Sequence, residues 1–388
     1  MKTLGSVLDE QNGFGQGFDF LRIFLATGII ASHTPQLSGH FDLARNSVFW
    51  LLEDTLVPMF FALSGFLVAG SSMRLSPRSF MLNRAARIVP ALAVDIVFAA
   101  LIIGPLVTTL PLPAYFSDPM FHSYFLNIIG SIHFDLPGVF QNNPTKSING
   151  SLWTVPFEIC CYVVLVGLMV SGAMKNARWL LWLTLGMLIA GVALRAMGPG
   201  LAGGEPSAVQ VAALNLFGQR SSLLLQSFLI GVCLYLYRYA IPVSGRATLG
   251  LIGAFALVSV FGDARGVFSN PVADAIFLPL IVYLTVAIGL SPLPQIPGFG
   301  GGDYSYGLYL YHVPFMQLLV YLFPNAWTGD WWWTLFVVGF PVSLAAAMIS
   351  WHVVEYPVLK LRKSFAIRHR PEEPAGGPQI PAAVGEAR

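Results

Sequence analysis

Two residues on one apolar stretch pose the chemical question. In FDFLRIFLATGIIASHT, residues 18–34, Arg22 and His33 stand eleven positions apart. On a helix that spacing is three turns plus about 20°, so both side chains share a face, about 16 Å apart along the axis. Neutral imidazole suits abstraction of a proton from an alcohol. A guanidinium suits the holding of an anion such as phosphate. Asp19, one turn before Arg22, offers the plainer alternative of a structural ion pair. Ionisable groups inside an apolar helix are costly in lipid and usually line a pathway or a site.

Further candidates follow along the chain. RLSPRSFMLNRAARIVP, residues 74–90, sets Arg84 and Arg87 three apart on one helical face. They are either a membrane-surface anchor, which Arg74 and Arg78 supply by themselves, or a clamp for phosphates such as those of coenzyme A. In MFFALSGFLVAG, residues 59–70, Ser64 and Gly65 permit close helix packing or leave room for an extended ligand. SLWTVPFEICCYVV, residues 151–164, opens with Ser151 and Trp153 and carries Glu158 about two turns inside. A carboxylate at that depth is paired, protonated or facing water. It orients His33, binds an acceptor hydroxyl, or neutralises an arginine. YSYGLYLYHVP, residues 304–314, places His312 among Tyr304, Tyr306, Tyr309 and Tyr311, a second candidate for site work. His352 and Glu355 read as interfacial. Cys160, Cys161 and Cys233 fall in apolar runs and fit neither a disulfide framework nor a metal-ligand spacing. The sequence has no hydrolase elbow, phosphate loop or metal motif, so no metal site is expected.

The elements that must carry these residues are membrane helices. Of 388 residues 55% are hydrophobic and 10% charged, and the mean hydropathy is +0.68. A soluble domain carries about 25% charge. The expected class is all-α, a polytopic membrane protein of about ten spans. These fall at 18–38, 47–70, 88–110, 151–171, 178–197, 218–238, 247–262, 271–290, 304–323 and 331–354. Breaks rich in Pro and Gly lie at 111–119, 198–206 and 291–302. With a cytoplasmic N-terminus, fifteen Lys and Arg fall on the cytoplasmic side and five on the other, Arg22 lying within the membrane. That bias places both termini inside. Three regions follow: a cytoplasmic lead at 1–17, a transmembrane domain at 18–357, and a disordered, charge-rich tail at 358–388. No cleavable signal peptide is expected. The long connection 111–150 reads as a lid or an acceptor-binding segment over the outer mouth.

Taken together, the motifs resemble the bacterial acyltransferase-3 family. The resemblance rests on Asp19-x-x-Arg22 with His33 eleven residues on from the arginine, MFFALSGF, Arg84-x-x-Arg87, SLWTVPFE and YSYGLYLYHVP, in that order across 18–357. It implies an integral-membrane enzyme of the bacterial inner membrane. Such an enzyme moves an acyl group, usually acetyl, from cytoplasmic acyl-CoA to a hydroxyl of a surface polysaccharide, lipopolysaccharide or related glycan. Acyl-CoA is then a co-substrate, with no bound cofactor. The partners are the donor, a glycan or glycolipid acceptor and the lipid bilayer, with no nucleic acid. By the same resemblance His33, Glu158 and His312 are catalytic candidates and Arg22, Arg84 and Arg87 hold the donor. Asp19, Ser64, Trp153 and Tyr309 line the site. His33 serves either as general base or as transient acyl carrier. Gly-Ile-Ala usually follows the arginine where this chain reads IFLATGII. No esterase-like extracytoplasmic domain follows the membrane part, so a second transfer step within the chain is not expected.

Two readings from other classes compete. A proton-coupled transporter or glycan exporter would use Arg22, His33 and Glu158 as a relay. A non-catalytic subunit of a polysaccharide-assembly complex would not need His33 for acylation.

Overall fold

A computed structural model describes residues 2–13, 15–46, 48–197, 222–261, 270–294 and 302–368. Among these the regular structure is helical, and the β-type pairing is one isolated bridge between Thr3 and Pro242. Ten long helices carry the fold: α1 (Phe18–Leu37), α2 (Val48–Ser72), α3 (Pro77–Phe98), α4 (Val155–Val170), α5 (Ala177–Met197), α6 (Ser222–Leu236), α7 (Gly245–Phe261), α8 (Pro271–Gly289), α9 (Ser305–Leu322) and α10 (Thr334–Ser350). Nine fall within, or within two residues of, their apolar segments, while α3 begins eleven residues before the third segment, 88–110. Six candidate spans, 54–72, 77–107, 150–170, 177–196, 271–289 and 329–362, are long and apolar enough to cross a membrane. The helices α1 and α9 are not among the six, because Asp19, Arg22 and His33 on one and His312 and Gln317 on the other lower their hydropathy. The polar residues that build the site blunt the apolar signal of the helices that carry it. The predicted sixth span began at 218, but 198–221 lies outside the described residues.

Two helices depart from α geometry, both near polar residues. α3 runs on through a π-helical turn, Ala99–Ile103. α10 runs on through another, Trp351–Glu355, into a helix at Tyr356–Arg368. The tail expected to be disordered from 358 therefore starts as helix. Pro357, the second residue of that helix, cannot donate back to the π-helical turn. Residues 369–388 lie outside the described residues.

At the centre, α2 packs on α6, α1 and α8, while α1 lies between α2 and α9. The α2–α6 contact is backbone on backbone. A Cβ at Gly65 would overlap the Phe228 carbonyl, and one at Gly231 the Ala62 carbonyl. Ser64, one residue from Gly65, faces the cavity described below. The two alternatives for this small-residue pair thus divide between its members, Gly65 for packing and Ser64 for space.

The connection 111–150 is a folded cap. It holds short helices at Leu112–Ser117 and Pro119–Tyr124 and a 3-10 turn at Phe125–Ile129. Its far end is pinned to α9. The Gln317 amide donates to the carbonyls of Thr145 (2.9 Å) and Ser147 (2.6 Å), and its oxygen accepts from Asn143 (2.8 Å). Pro314 cannot donate to the carbonyl four residues back, Leu310. Asn149 supplies the missing donor at 3.0 Å and donates to Asp95 at 2.8 Å.

Replacing Gly231 with Ala puts a methyl against the Ala62 backbone, which has no flexible end to yield. A loss of about 1–3 kcal/mol is expected, seen as a lower melting temperature of detergent-purified protein. An unchanged melting temperature would place the helices further apart than described.

Candidate functional site

A cavity of about 160 Å³ opens among α1, α2, α3, α4, α6 and α9. Its polar wall holds Arg22, Arg84, Arg87, Glu158, Asp303 and Ser305. Its apolar wall holds Val57, Phe60, Phe61, Leu67, Ile88 and Phe228. Sequence order scatters these groups over 280 positions; the bundle gathers them because none can be left facing lipid.

Arg22 and Arg87 meet at one carboxylate. Asp303 Oδ2 receives Arg22 at 3.2 Å and Arg87 at 2.5 Å. Its other oxygen accepts from the N–H (3.3 Å) and hydroxyl (2.5 Å) of Ser305, the first residue of α9. Burial alone would raise this carboxyl. The Arg87 and Arg22 charges, with the two Ser305 bonds, outweigh burial and hold it well below the usual carboxylate range. Arg22 also pairs with Asp19 at 3.2 Å, but that partner is 93% exposed and adds little. Arg87 has further neighbours where α10 becomes π-helical: Glu355 at 3.8 Å and the Trp351 ring, 5.2 Å from the guanidinium. Glu355 is thus buried, not interfacial as its place near the chain end implied. It also accepts from Ser350 at 3.1 Å.

Arg84 differs. Among the described residues no carboxylate lies within ion-pairing distance of it. It rests between the Phe80 and Tyr162 rings, 5.7 and 6.0 Å from their centres, and its Nε is buried without a hydrogen-bond partner. Glu158 faces the same cavity and accepts from the Tyr162 hydroxyl at 2.9 Å. Tyr162 in turn lies 3.3 Å from Ser64.

The cavity's inner end is Tyr309 with Thr154, their hydroxyls 2.9 Å apart. Behind Tyr309 stand the two histidines. His33 Nδ1 lies 2.8 Å from His312 Nε2, and His312 Nδ1 lies 2.7 Å from the Tyr309 carbonyl. A carbonyl only accepts, so His312 Nδ1 carries a proton and its Nε2 a lone pair. His33 Nδ1 is therefore the donor of the pair, and His33 Nε2 is left with a lone pair. That is the tautomer a base requires.

Of the predicted site residues, Arg22, Arg84, Arg87, Glu158, Ser64 and Tyr309 share the cavity. His33 and His312 form the adjoining pair. Trp153 packs edge-on against Phe157, outside the cavity wall. Glu158 does not orient His33; His312 does. Arg22, His33 and Glu158 each bind different partners, so they do not form the single relay that the transporter reading required. Sequence reasoning missed Asp303 and Thr154. Asp303 precedes the tyrosine-rich motif by one residue, and an Asp two residues before Ser305, the spacing of an Asx turn, was the available signal. No group of three or more His, Cys, Asp or Glu able to hold a metal occurs among the described residues.

The acyltransferase-3 family model, described as an acyltransferase domain, matches residues 16–352. A nodulation protein 10 from Rhizobium leguminosarum bv. viciae is 29% identical over 94% of this chain and 99% of its own. An O-acetyl transferase from Shigella phage Sf6 is 26% identical over 92% of this chain and 97% of its own. No solved structure matches the chain.

The two neighbouring arginines should respond differently to removal. Arg87→Gln leaves Asp303 with Arg22 as its ion-pair partner and takes from Glu355 the cation beside it, and should cost about 3–5 kcal/mol. Arg84→Gln strands no carboxylate and should leave the melting temperature close to that of the unaltered protein. Equal losses for both variants would refute this division of partners.

Proposed function

The chain belongs to the acyltransferase-3 family and is an acyltransferase, and from that premise we propose that it moves an acetyl group from cytoplasmic acetyl-CoA to a hydroxyl of a bacterial surface glycan. The observation that carries the proposal is the arginine-bearing cavity ending at Tyr309, whose carbonyl orients the histidine pair. The likeness to a phage O-acetyl transferase favours acetyl and a hydroxyl acceptor.

Arg84, the least matched of the three cations, attracts the donor's phosphates, and Arg22 and Arg87 flank them. The pantetheine arm lies along the apolar wall with the thioester at Tyr309. His33 Nε2 takes the proton of the acceptor hydroxyl while its Nδ1–H stays bonded to His312. The oxygen attacks the thioester carbonyl, the C–S bond breaks, and the departing thiolate takes the proton back from His33. His312 holds the tautomer and spreads the imidazolium charge, a positioning role. The lone pair on His33 Nε2 serves a general base and an acyl carrier alike. A carrier would leave labelled acetyl on the protein when acceptor is absent. The lysine and arginine bias supports both termini in the cytoplasm and the Arg22 end of α1 facing the donor, and the family membership favours residence in the inner membrane.

Mass spectrometry of surface glycan from cells with and without the protein should find added acetyl only with it. His33→Gln should abolish the addition at equal expression, and His312→Gln should lower it at least tenfold. Arg84→Ala should weaken acetyl-CoA binding to the purified protein several-fold. Normal acetylation with His33→Gln would sink the mechanism. A reporter fused to the C-terminus should read cytoplasmic; a periplasmic signal would reverse the topology.

A further inference from the structure

We infer that Asp303 is a positioning residue for acyl transfer, setting the height of α1 against α9 and thereby the His33–His312 contact. The inference rests on the acetyl-CoA reading above. The two oxygens of its carboxylate divide the task. One binds the start of α9 through the Ser305 N–H and hydroxyl. The other holds Arg22 of α1 and Arg87 of α3. One side chain therefore joins three helices at the cavity's polar end.

The geometry makes that joint matter at a distance. His33 lies eleven residues beyond Arg22, and His312 nine beyond Asp303. At 1.5 Å per residue the rings stand about 16 and 14 Å up their helices from the clamp. They meet through one 2.8 Å contact between ring nitrogens. A slip of one residue moves a ring by about 1.5 Å and turns it by about 100°, which breaks such a bond and with it the orientation of His33 Nε2. The bundle is clamped at one end by charge and reports its alignment at the other.

A carboxylate repels phosphate, so Asp303 is not a donor ligand. Neutralising it leaves Arg22 and Arg87 with less counter-charge and at least as attractive to an anion. A positioning role thus predicts a loss of turnover without a loss of donor binding. A role as cavity wall predicts the reverse, and loss of folding predicts less active protein with unchanged constants.

The test uses the full chain in membrane vesicles that carry surface glycan. The initial rate of radiolabel transfer from acetyl-CoA into glycan is measured against acetyl-CoA concentration and normalised to folded protein. Asp303→Asn keeps an acceptor for Ser305 and removes the charge. The expected result is a rate at saturating acetyl-CoA at least tenfold below the unaltered protein, with a half-saturating concentration that is equal or lower. Asp303→Glu restores the charge one methylene away and should recover at least threefold over Asp303→Asn. If Asp303→Asn does not fold, Asp303→Glu alone should show reduced turnover without a raised half-saturation. A full rate in the variant, or a defect confined to a raised half-saturation, overturns the inference while leaving the acetyl-CoA reading intact. No transfer by the unaltered protein removes both.

Discussion

Inside lipid, every buried polar group must be answered by another part of the same chain, and this bundle is arranged around that requirement. The answering groups concentrate along α9. Its first residue, Ser305, binds Asp303, its middle binds His33 through His312, and its last turns hold the connection 111–150 through Gln317. α1 and α3 bring Arg22 and Arg87 to the Asp303 end. The buried Arg195–Asp274 pair at 2.8 Å joins α5 to α8 away from this axis. It ties two helices, a structural role.

A proline sets part of this arrangement. Pro314 leaves the Leu310 carbonyl without its helical donor, and Asn149 arrives from the cap to bind it. The same amide nitrogen reaches Asp95 on α3, while the Asn149 oxygen accepts from the N–H and hydroxyl of Ser151. Asn149 thereby fixes the 3-10 turn Gly150–Thr154 that leads into α4. That turn places Thr154 against Tyr309 and sets where Glu158 enters the cavity. A missing hydrogen bond on one helix thus determines the start of another.

Much of the fold was legible because apolar runs of the right length have one outcome in a membrane. The helices emerged close to the segments read from hydropathy, and the family was legible from five short motifs in order. What stayed hidden has physical causes. Asp303 and Arg22 are 281 positions apart, and no periodicity links a loop carboxylate to a helix arginine. Glu355 read as interfacial because counting α-helical turns does not foresee the π-helical turn Trp351–Glu355 that turns it inward towards Arg87. Trp153 looked site-lining because it sits in the same motif as Glu158, yet the 3-10 turn directs it onto Phe157. The pairing of His33 with His312, rather than with Glu158, depended on which helices are neighbours. Sequence alone does not state that α1 lies between α2 and α9.

The distribution of charge around the cavity bears on how donor and base are kept apart. Three arginines line it, but two are already matched by carboxylates, Arg22 by Asp303 and Arg87 by Asp303 and Glu355. Matched charges in a low-dielectric wall stabilise the wall and add little net field. Arg84 rests on aromatic faces with no ion pair among the described residues, and Glu158 lines the same cavity, so Arg84 is the least matched of the three cations. Tyr309 separates that region from the histidines, its hydroxyl bonded at 3.0 Å to the Ser151 carbonyl and its own carbonyl to His312. One residue therefore closes the cavity with its side chain and orients the base through its backbone. Because both functions sit on a single residue of α9, the end of the cavity and the direction of the His33 lone pair cannot shift independently of each other.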